Sequence, residues 1–271
     1  MSNPLEKDDS LLVVERPERG VLRITLNRPE ARNALSLDMM AALSGAIDEL
    51  RADQTLAAAI LSASGPAFCA GHDLRELTAH RADKDRGRAF FAKTMRRCSD
   101  LMQAIVQCPK PVIAAVHATA TAAGCQLVAS CDLAVAAASA SFSTPGVNIG
   151  LFCSTPMVAL SRNVPRKRAM EMLLLGEMLP ARAALDYGLV NRVVEKEKVL
   201  GEAMSMARTI AAKSPATVAI GKRAFYAQIE KPLKEAYDYA ASVMVENMLI
   251  ADAEEGIGAF LAKRPPEWKG C

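Results

Sequence analysis

Lys110-Pro-Val-Ile-Ala-Ala-Val-His117-Ala-Thr-Ala-Thr-Ala-Ala-Gly124-Cys-Gln126-Leu-Val-Ala-Ser-Cys-Asp132 is the stretch around which the rest of the chain is arranged. It reads strand, loop, helix. Pro111 opens a short uncharged run, Val112 to Val116, with the composition of a buried strand. Small residues follow, and Gly124 begins an apolar segment that stops at Asp132. A helix N-terminus therefore faces the loop. Free backbone N–H groups at such a terminus, with the macrodipole behind them, can hold a developing negative charge on a ligand oxygen. Ala122, Ala123 and Gly124 are small enough to keep that approach open. No charge lies between Lys110 and Asp132, yet His117, the Thr and Ser residues and Gln126 interrupt the run and Leu is scarce. A membrane-spanning helix is therefore not expected.

Before this stretch, Leu11 to Glu15 and Val21 to Leu26 are strand-like and separated by Arg16-Pro-Glu-Arg-Gly20, the pattern of a hairpin. Leu37, Met40, Leu43, Ile47 and Leu50 then recur at helical spacing, with Ser36 as the N-cap. A buried strand from Ala57 to Leu61 runs into a loop at Gly71, a second place where backbone can come close to a ligand. A long amphipathic helix from Gly87 to Gln107 ends at Pro109.

After it, Leu133 to Ala138 reads as a strand and Ser141 to Phe142 opens another. The segment from Ser143 to Pro156 is rich in turn formers and small polar residues, as a site loop is. Helices are expected at Pro156 to Arg162, Lys167 to Leu175 and Ala181 to Tyr187, with Gly188 as C-cap and Leu189 to Val194 as the last strand. From Lys198 on the pattern is helical, in four segments divided at Pro215, Pro232 and Gly256. Their Met and Ala at helical spacing indicate core or subunit interface.

Composition narrows the function classes. A chain of 271 residues with 51% hydrophobic content can build a sizeable core. Its 33 basic and 30 acidic residues are interspersed, with a cluster only at Arg166-Lys167-Arg168, so neither a nucleic-acid partner nor a membrane partner is expected. Seven cysteines without a C-x-x-C pair indicate free thiols in a reducing compartment. Three histidines supply a metal site poorly, so none is expected. Met1 to Ser10 is charged and lacks the apolar run of a secretory signal, which makes a cytoplasmic location the expectation.

Asn27-Arg-Pro with Asn33-Ala-Leu, Phe68-Cys-Ala-Gly-His-Asp-Leu74, Pro109-Lys-Pro-Val-Ile-Ala-Ala-Val116 and Cys131-Asp-Leu133 together resemble the crotonase, or enoyl-CoA hydratase/isomerase, superfamily. Ala183-Leu-Asp-Tyr-Gly-Leu-Val190 and Glu255-Gly-Ile-Gly-Ala-Phe-Leu-Ala-Lys-Arg264 extend the likeness over nearly the whole chain. The resemblance implies an α/β fold, a crotonase-type spiral of ββα units with a C-terminal helical trimerisation region. Residues 1–195 would form the spiral core and residues 196–271 the helical oligomerisation region, giving a homotrimer or a hexamer of two trimers. The implied partner is an acyl-CoA thioester, with coenzyme A entering as part of the substrate and no cofactor bound covalently.

In that family two backbone N–H groups polarise the thioester carbonyl and stabilise an enolate; the matching positions are His72 and Ala123. Main-chain donors tolerate side-chain variation. The resemblance places the coenzyme A body near Arg32 and Asn33 in the loop before the first helix, near Ala70, Asp73 and Leu74 around the first donor, and near Lys263 of a neighbouring subunit.

The acid/base positions depart from the family. Its hydratases use two glutamates, and here those positions are Gln126 and Gly146; a third carboxylate position, used by dienoyl isomerases and aryl-CoA dehalogenases, is Ser154. None of the three ionises as a carboxylate, whereas a positioned acid or base contributes ~10²–10⁴-fold. Ordinary hydratase chemistry should be severely impaired. His72 is the one nearby group with a suitable ordinary pKa, its side chain pointing either into the acyl pocket or away. Cys153 reads as an inert buried thiol, Gln126 and Asn148 as groups that orient a water or a substrate amide. By analogy with naphthoyl-CoA synthases, glycine at 146 leaves a carboxylate-sized space for an exogenous anion.

Three readings remain open at this level. One is an acyl-CoA enzyme whose reaction needs only enolate stabilisation, such as thioester cleavage or decarboxylation. Another is a non-catalytic acyl-CoA-binding protein. The third, a serine hydrolase, lacks a G-x-S-x-G elbow.

Overall fold

The computed structural model describes residues 10–271, so the charged opening segment on which the absence of a secretory signal was argued lies outside them, Ser10 excepted. Strands β1 (Leu12–Glu18) and β2 (Val21–Leu26) form the expected antiparallel hairpin. A 3-10 turn at Pro29–Ala31 leads to α1 (Leu37–Ala52), which starts where the Ser36 hydroxyl accepts the Met39 N–H at 3.2 Å. The residues expected on its inner face, Met40, Leu43, Ile47 and Leu50, are buried.

The chain then repeats one pattern three times: a strand into a first sheet, a strand into a second sheet, and a helical return. The first round is β3 (Ala58–Ala63), β4 (Ala67–Cys69), α2 (Leu74–Ala79) and α3 (Arg88–Gln107). The second is β5 (Val112–Val116), β6 (Thr119–Thr121) and α4 (Ala123–Ser130). The third is β7 (Leu133–Ala137), β8 (Ser141–Ser143), a 3-10 turn at Pro145–Ile149, α5 (Pro156–Asn163) and α6 (Arg166–Leu175). The two-residue β9 (Leu179–Pro180), α7 (Ala181–Asp186) and β10 (Arg192–Val194) close the spiral. Helices α8 (Val199–Ala211), α9 (Pro215–Gln228), α10 (Leu233–Met248) and α11 (Ala251–Leu261) follow.

The sheet order explains the spiral. One sheet runs β1-β2-β3-β5-β7-β10 and the other β4-β6-β8-β9. From β2 onward neighbours in the first sheet are parallel, as are β4, β6 and β8 in the second. Parallel neighbours cannot be joined by a tight hairpin, so every turn needs a long return, which the helices supply. This is the expected α/β spiral of ββα units with a helical C-terminal region.

Several local expectations change. The segment after β5 is not a loop running directly to a helix, because Thr119–Thr121 pairs with both β4 and β8 as β6. Alternating small residues concealed that strand. The last C-terminal break falls at Leu249 and Ile250, not at Gly256, which lies inside α11. A Cβ on Gly256 would stand 3.1 Å from the Trp268 ring, so the helix accepts a poor helix former to make room for tryptophan. The last strand shortens to Arg192–Val194, with Leu189 and Val190 buried in the turn before it.

Helix α8 lies against β3, β5 and β7 and completes the core. Helix α9 is fastened by Lys222, whose Nζ donates to Asp132 Oδ2 at 2.7 Å and to the carbonyls of Ile105 and Lys110 at 3.0 and 3.2 Å. Tyr226 donates to Asp132 Oδ1 at 3.0 Å, and the Val112 N–H to Oδ2 at 2.8 Å. Asp132 is thus the anchor between the helical region and β5, as well as the residue that ends the apolar segment of α4. Helices α10 and α11 expose Leu233, Tyr237, Leu249, Phe260 and Leu261. The tail folds back on α11: Arg264 grips Glu255 with contacts of 2.6 and 2.8 Å, and Asp252 accepts the Ser214 hydroxyl at 2.6 Å and the Lys269 N–H at 2.7 Å. Among the described residues no helix is long and apolar enough to cross a membrane.

Candidate active site

Strands β4, β6 and β8 are parallel neighbours, with Cys69 opposite Ala120 and Thr121 opposite Ser143. Their carboxyl ends therefore lie side by side at roughly 4.8 Å spacing. Three loops leave from that edge: Ala70-Gly71-His72, Ala122-Ala123 and Thr144-Pro145-Gly146. Ligands of open parallel sheets bind outside such strand ends.

The direction of the His72 N–H follows from its neighbours. Leu35 forms a parallel bridge with His72: the Leu35 N–H donates to the Gly71 carbonyl at 2.7 Å, and the Asp73 N–H donates to the Leu35 carbonyl at 3.2 Å. With both flanking peptide groups turned to Leu35, the N–H of His72 itself points to the opposite side. On that side lies the turn from β6 into α4. A Cβ placed on Gly71, whose φ is +95°, would stand 2.9 Å from the Ala122 Cβ and 3.3 Å from the Ala123 nitrogen, so the two loops touch. A Cβ on Gly124 would overlap the Cys69 carbonyl. Only glycine permits both approaches. Ala123 is the first residue of α4, so its N–H has no partner within the helix. Neither it nor the His72 N–H donates to a backbone acceptor.

Ala122 holds this turn with φ 51° and ψ −119°, a conformation alanine adopts only under strain. Its N–H donates to the Ser143 carbonyl at 2.9 Å, which ties the third loop to the second.

The His72 ring is largely buried, and neither nitrogen has a hydrogen-bond partner. Burial pushes its pKa below the ordinary value of 6.5, with the Leu35 backbone opposing, so the imidazole is neutral at pH 7. Gln126 is buried in α4, and its Oε1 accepts the Cys98 thiol at 3.7 Å. Cys98 and Cys125 are both pushed by burial up to about 12, and burial also raises Cys153, opposed by the Gly146 N–H. The reading of Cys153 as a buried thiol without activation agrees with this geometry.

The third loop departs from expectation. Gly146 is buried, and a Cβ there would stand 2.7 Å from the Leu151 carbonyl oxygen and 2.9 Å from the Cys153 Sγ. The Cβ direction of Gly146 is therefore blocked by the turn to Cys153, in which the Leu151 N–H donates to the Gly146 carbonyl at 2.9 Å. Ser154 is exposed, its hydroxyl turned to the Phe152 carbonyl at 3.3 Å. Asn148 braces the end of α6, donating to the Gly176 carbonyl at 3.3 Å.

Of the residues assigned to coenzyme A, the structure brings Arg32, Asn33, Ala70, Asp73 and Leu74 together around the first loop. The Ala70 N–H donates to the Arg32 carbonyl at 3.0 Å, and Arg32, Ala70 and Leu74 are exposed. The Asn33 side chain is consumed by the fold, accepting the Arg28 N–H at 2.9 Å and donating to the Ser64 and Ala67 carbonyls at 2.8 and 2.9 Å. Asp73 caps α2 through the Arg75 and Glu76 N–H groups and meets Arg28 at 2.8 Å; burial opposes its ionisation, but these donors hold its carboxyl below the usual range. Lys263 follows α11, which packs on α9 and α10 in this chain. Sequence reasoning missed Leu35, Cys153 as a filler and the strain at Ala122, because all three depend on partners distant in sequence.

The family model for enoyl-CoA hydratase/isomerase matches residues 16–271. The enoyl-CoA hydratase domain-containing protein 3, mitochondrial, of Mus musculus is 47% identical over 95% of this chain and 84% of its own length. The Homo sapiens protein of the same name is 48% identical over 92% and 80%. A crystal structure of an enoyl-CoA hydratase from Mycobacterium smegmatis superposes with a TM-score of 0.91 at 53% identity, covering 96% of this chain and 99% of that one. The crystal structure of the human domain-containing protein 3 gives a TM-score of 0.91 at 46% identity, over 96% and 100%. These names correct the expected cytoplasmic location, since the mouse and human relatives are named mitochondrial. Free thiols report a reducing compartment without saying which, and a missing secretory run is silent on mitochondrial import. The sequence match and the ββα spiral agree, and the chain belongs to the enoyl-CoA hydratase/isomerase family, within the crotonase superfamily.

Proposed function

We propose that this chain binds acyl-coenzyme A thioesters with the thioester oxygen between the His72 and Ala123 N–H groups. That pair of main-chain groups without a backbone acceptor, one in the loop after β4 and one at the start of α4, carries the reading. The oxygen gains negative charge as an enolate forms, and fixed donors backed by a helix dipole stabilise that state more than the ground state. Coenzyme A enters as part of the substrate, rimmed by Arg32, Ala70 and Leu74. Gln126 and Gly146 supply no carboxylate base, so the reaction is one whose oxyanion the two N–H groups stabilise without one, decarboxylation or thioester cleavage. In decarboxylation a carboxyacyl thioester loses CO2 and the bond electrons form an enolate that solvent protonates. In thioester cleavage water adds to the carbonyl, loses its proton to solvent, and the tetrahedral oxyanion expels the coenzyme A thiolate. The exposed apolar residues of α10 and α11 support assembly into a trimer or hexamer, in which Lys263 of one copy reaches another copy's nucleotide.

The test is crotonyl-CoA, with binding followed by calorimetry and hydration by loss of the conjugated enoyl absorbance. Saturable binding with little hydration is the expected result. Absence of binding sinks the reading, and hydration at ~1–10³ per second shows that a base has been overlooked. A second reading, binding without any catalysis, is favoured by the closure of the Gly146 loop over the space a second catalytic group would need. Turnover of any acyl-CoA by the purified chain removes it.

A further inference from the structure

The near balance of charge over the whole chain conceals a local excess. Between Arg81 and Arg97 the chain carries seven cations and two carboxylates, an excess of five, while the whole chain has a net charge of only +3. All seven cations are exposed. Among the described residues none of them pairs with a carboxylate, although ion pairs occupy cations elsewhere, from Arg16 to Arg264. The two carboxylates are already engaged. Asp83 faces His80 Nδ1 at 2.8 Å, and Asp85 accepts the Gly87 and Ala89 N–H groups at 3.0 and 2.8 Å.

Four of these cations stand on the exposed arc of α3. Thr94, Cys98, Leu101 and Ile105 form the buried stripe of α3. Arg96 lies opposite that stripe with Lys93 beside it, and Arg88 and Arg97 stand on the two flanks of the exposed arc, along about 14 Å of helix axis. The preceding segment adds Arg81, Lys84 and Arg86. Phe90 and Phe91 are not free for stacking, because His80 stacks on Phe90 at 3.6 Å and Arg81 covers Phe91 at 5.7 Å.

We propose that this face of α3 docks the protein on an anionic lipid bilayer by adsorption, without insertion. The charge complementarity is direct, since a cluster of this size facing anionic headgroups gains about fivefold in partition per cation. A protein partner fits less well. None of the exposed large hydrophobic residues falls between Arg81 and Arg97, so the face offers no apolar anchor for the desolvated centre of a protein interface. A nucleic acid would find no free aromatic ring. The inference stands apart from the acyl-CoA reading, since vesicle binding is measured without any thioester.

The experiment is co-sedimentation of the full chain with phosphatidylcholine vesicles containing one third phosphatidylglycerol, against vesicles of phosphatidylcholine alone. Binding to the anionic vesicles only is expected. Release is expected as sodium chloride rises from about 0.1 M to about 1 M and the screening length falls from ~10 to ~3 Å. Replacing Arg88, Lys93, Arg96 and Arg97 together by Gln should weaken partition roughly 10²–10³-fold. Arg166→Gln with Lys167→Gln, in the cluster visible from sequence, should leave it within about fivefold, the size of one cation. Crotonyl-CoA affinity should be unchanged in both variants. Equal binding to neutral vesicles, full binding by the fourfold variant, or retention of an acidic peptide or duplex RNA by this face without vesicle binding overturns the proposal.

Discussion

Putting both glutamates back at Gln126 and Gly146 tests the account of the third loop. On sequence alone the double variant should restore hydration, because two positioned carboxylates are worth ~10²–10⁴-fold each. The structure separates the two positions. Gln126→Glu keeps the side-chain shape in the second turn of α4 and needs no new space. Gly146→Glu must place a Cβ 2.7 Å from a backbone oxygen, Leu151 O, and 2.9 Å from the Cys153 Sγ. The thiol can swing aside, but the carbonyl moves only with its loop. Overpacking of this kind costs ~1–3 kcal/mol. At about 2–4 °C per kcal/mol for a chain of this size, Gly146→Glu should lower Tm by roughly 2–12 °C. The double variant should gain no more hydration than Gln126→Glu alone. Thermal unfolding and the crotonyl-CoA absorbance assay on parent, both single variants and the double variant decide it. A double variant that keeps the parental Tm and hydrates crotonyl-CoA ten times or more faster than Gln126→Glu would refute the closed-loop argument.

Three further outcomes are expected. Lys222→Met strands the buried Asp132 and should destabilise the chain by ~3–5 kcal/mol in urea unfolding, with part recovered by adding Asp132→Asn; a loss below about 1 kcal/mol would mean the pair does not fasten α9. Ala122→Gly relieves the strained φ of 51° and should stabilise by about 1 kcal/mol, after the entropy cost of glycine, with crotonyl-CoA affinity retained; a lower Tm would contradict the strain. Arg264, helped by the Glu267 N–H, holds the Glu255 carboxyl at about 2, below its ordinary 4.5. A carboxyl depressed in the folded state stabilises above its unfolded pKa and loses that contribution as pH falls, so the tail should loosen between about pH 4.5 and about pH 2. Emission from Trp268, the single tryptophan, reports this, and a folded chain whose emission stays flat over that window, or an unaltered transition in Glu255→Gln, would count against it.

Much of the site was legible because it is local. Small residues before an apolar helix, at Ala122 to Gly124, mark an exposed N-terminus wherever the chain goes, and Ser36 caps α1 through its own N3 amide. That Gln126 and Gly146 stand at the family's glutamate positions came from the resemblance, and not from any local pattern. The strand at Thr119–Thr121 was hidden because it exists only through pairing with β4 and β8, and three residues carry no period that reveals it. The C-terminal break was misplaced at Gly256 because glycine usually signals an end, while here it admits Trp268.

By itself, the sequence carries the family, through motifs that resemble its relatives, and much of the ββα order, through short-range spacing; residue type alone leaves no carboxylate at Gln126, Gly146 or Ser154. Tertiary structure alone decided how those parts meet. Leu35 turns the His72 N–H toward Ala123, Leu151 and Cys153 fill the space beside Gly146, Lys222 is buried on Asp132, and α3 collects unpaired cations on one face. Leu35 with His72 and Lys222 with Asp132 join residues far apart in the chain, and that packing leaves no trace in local composition; the Gly146 turn and the α3 cations are near in sequence, and only their folded arrangement was hidden.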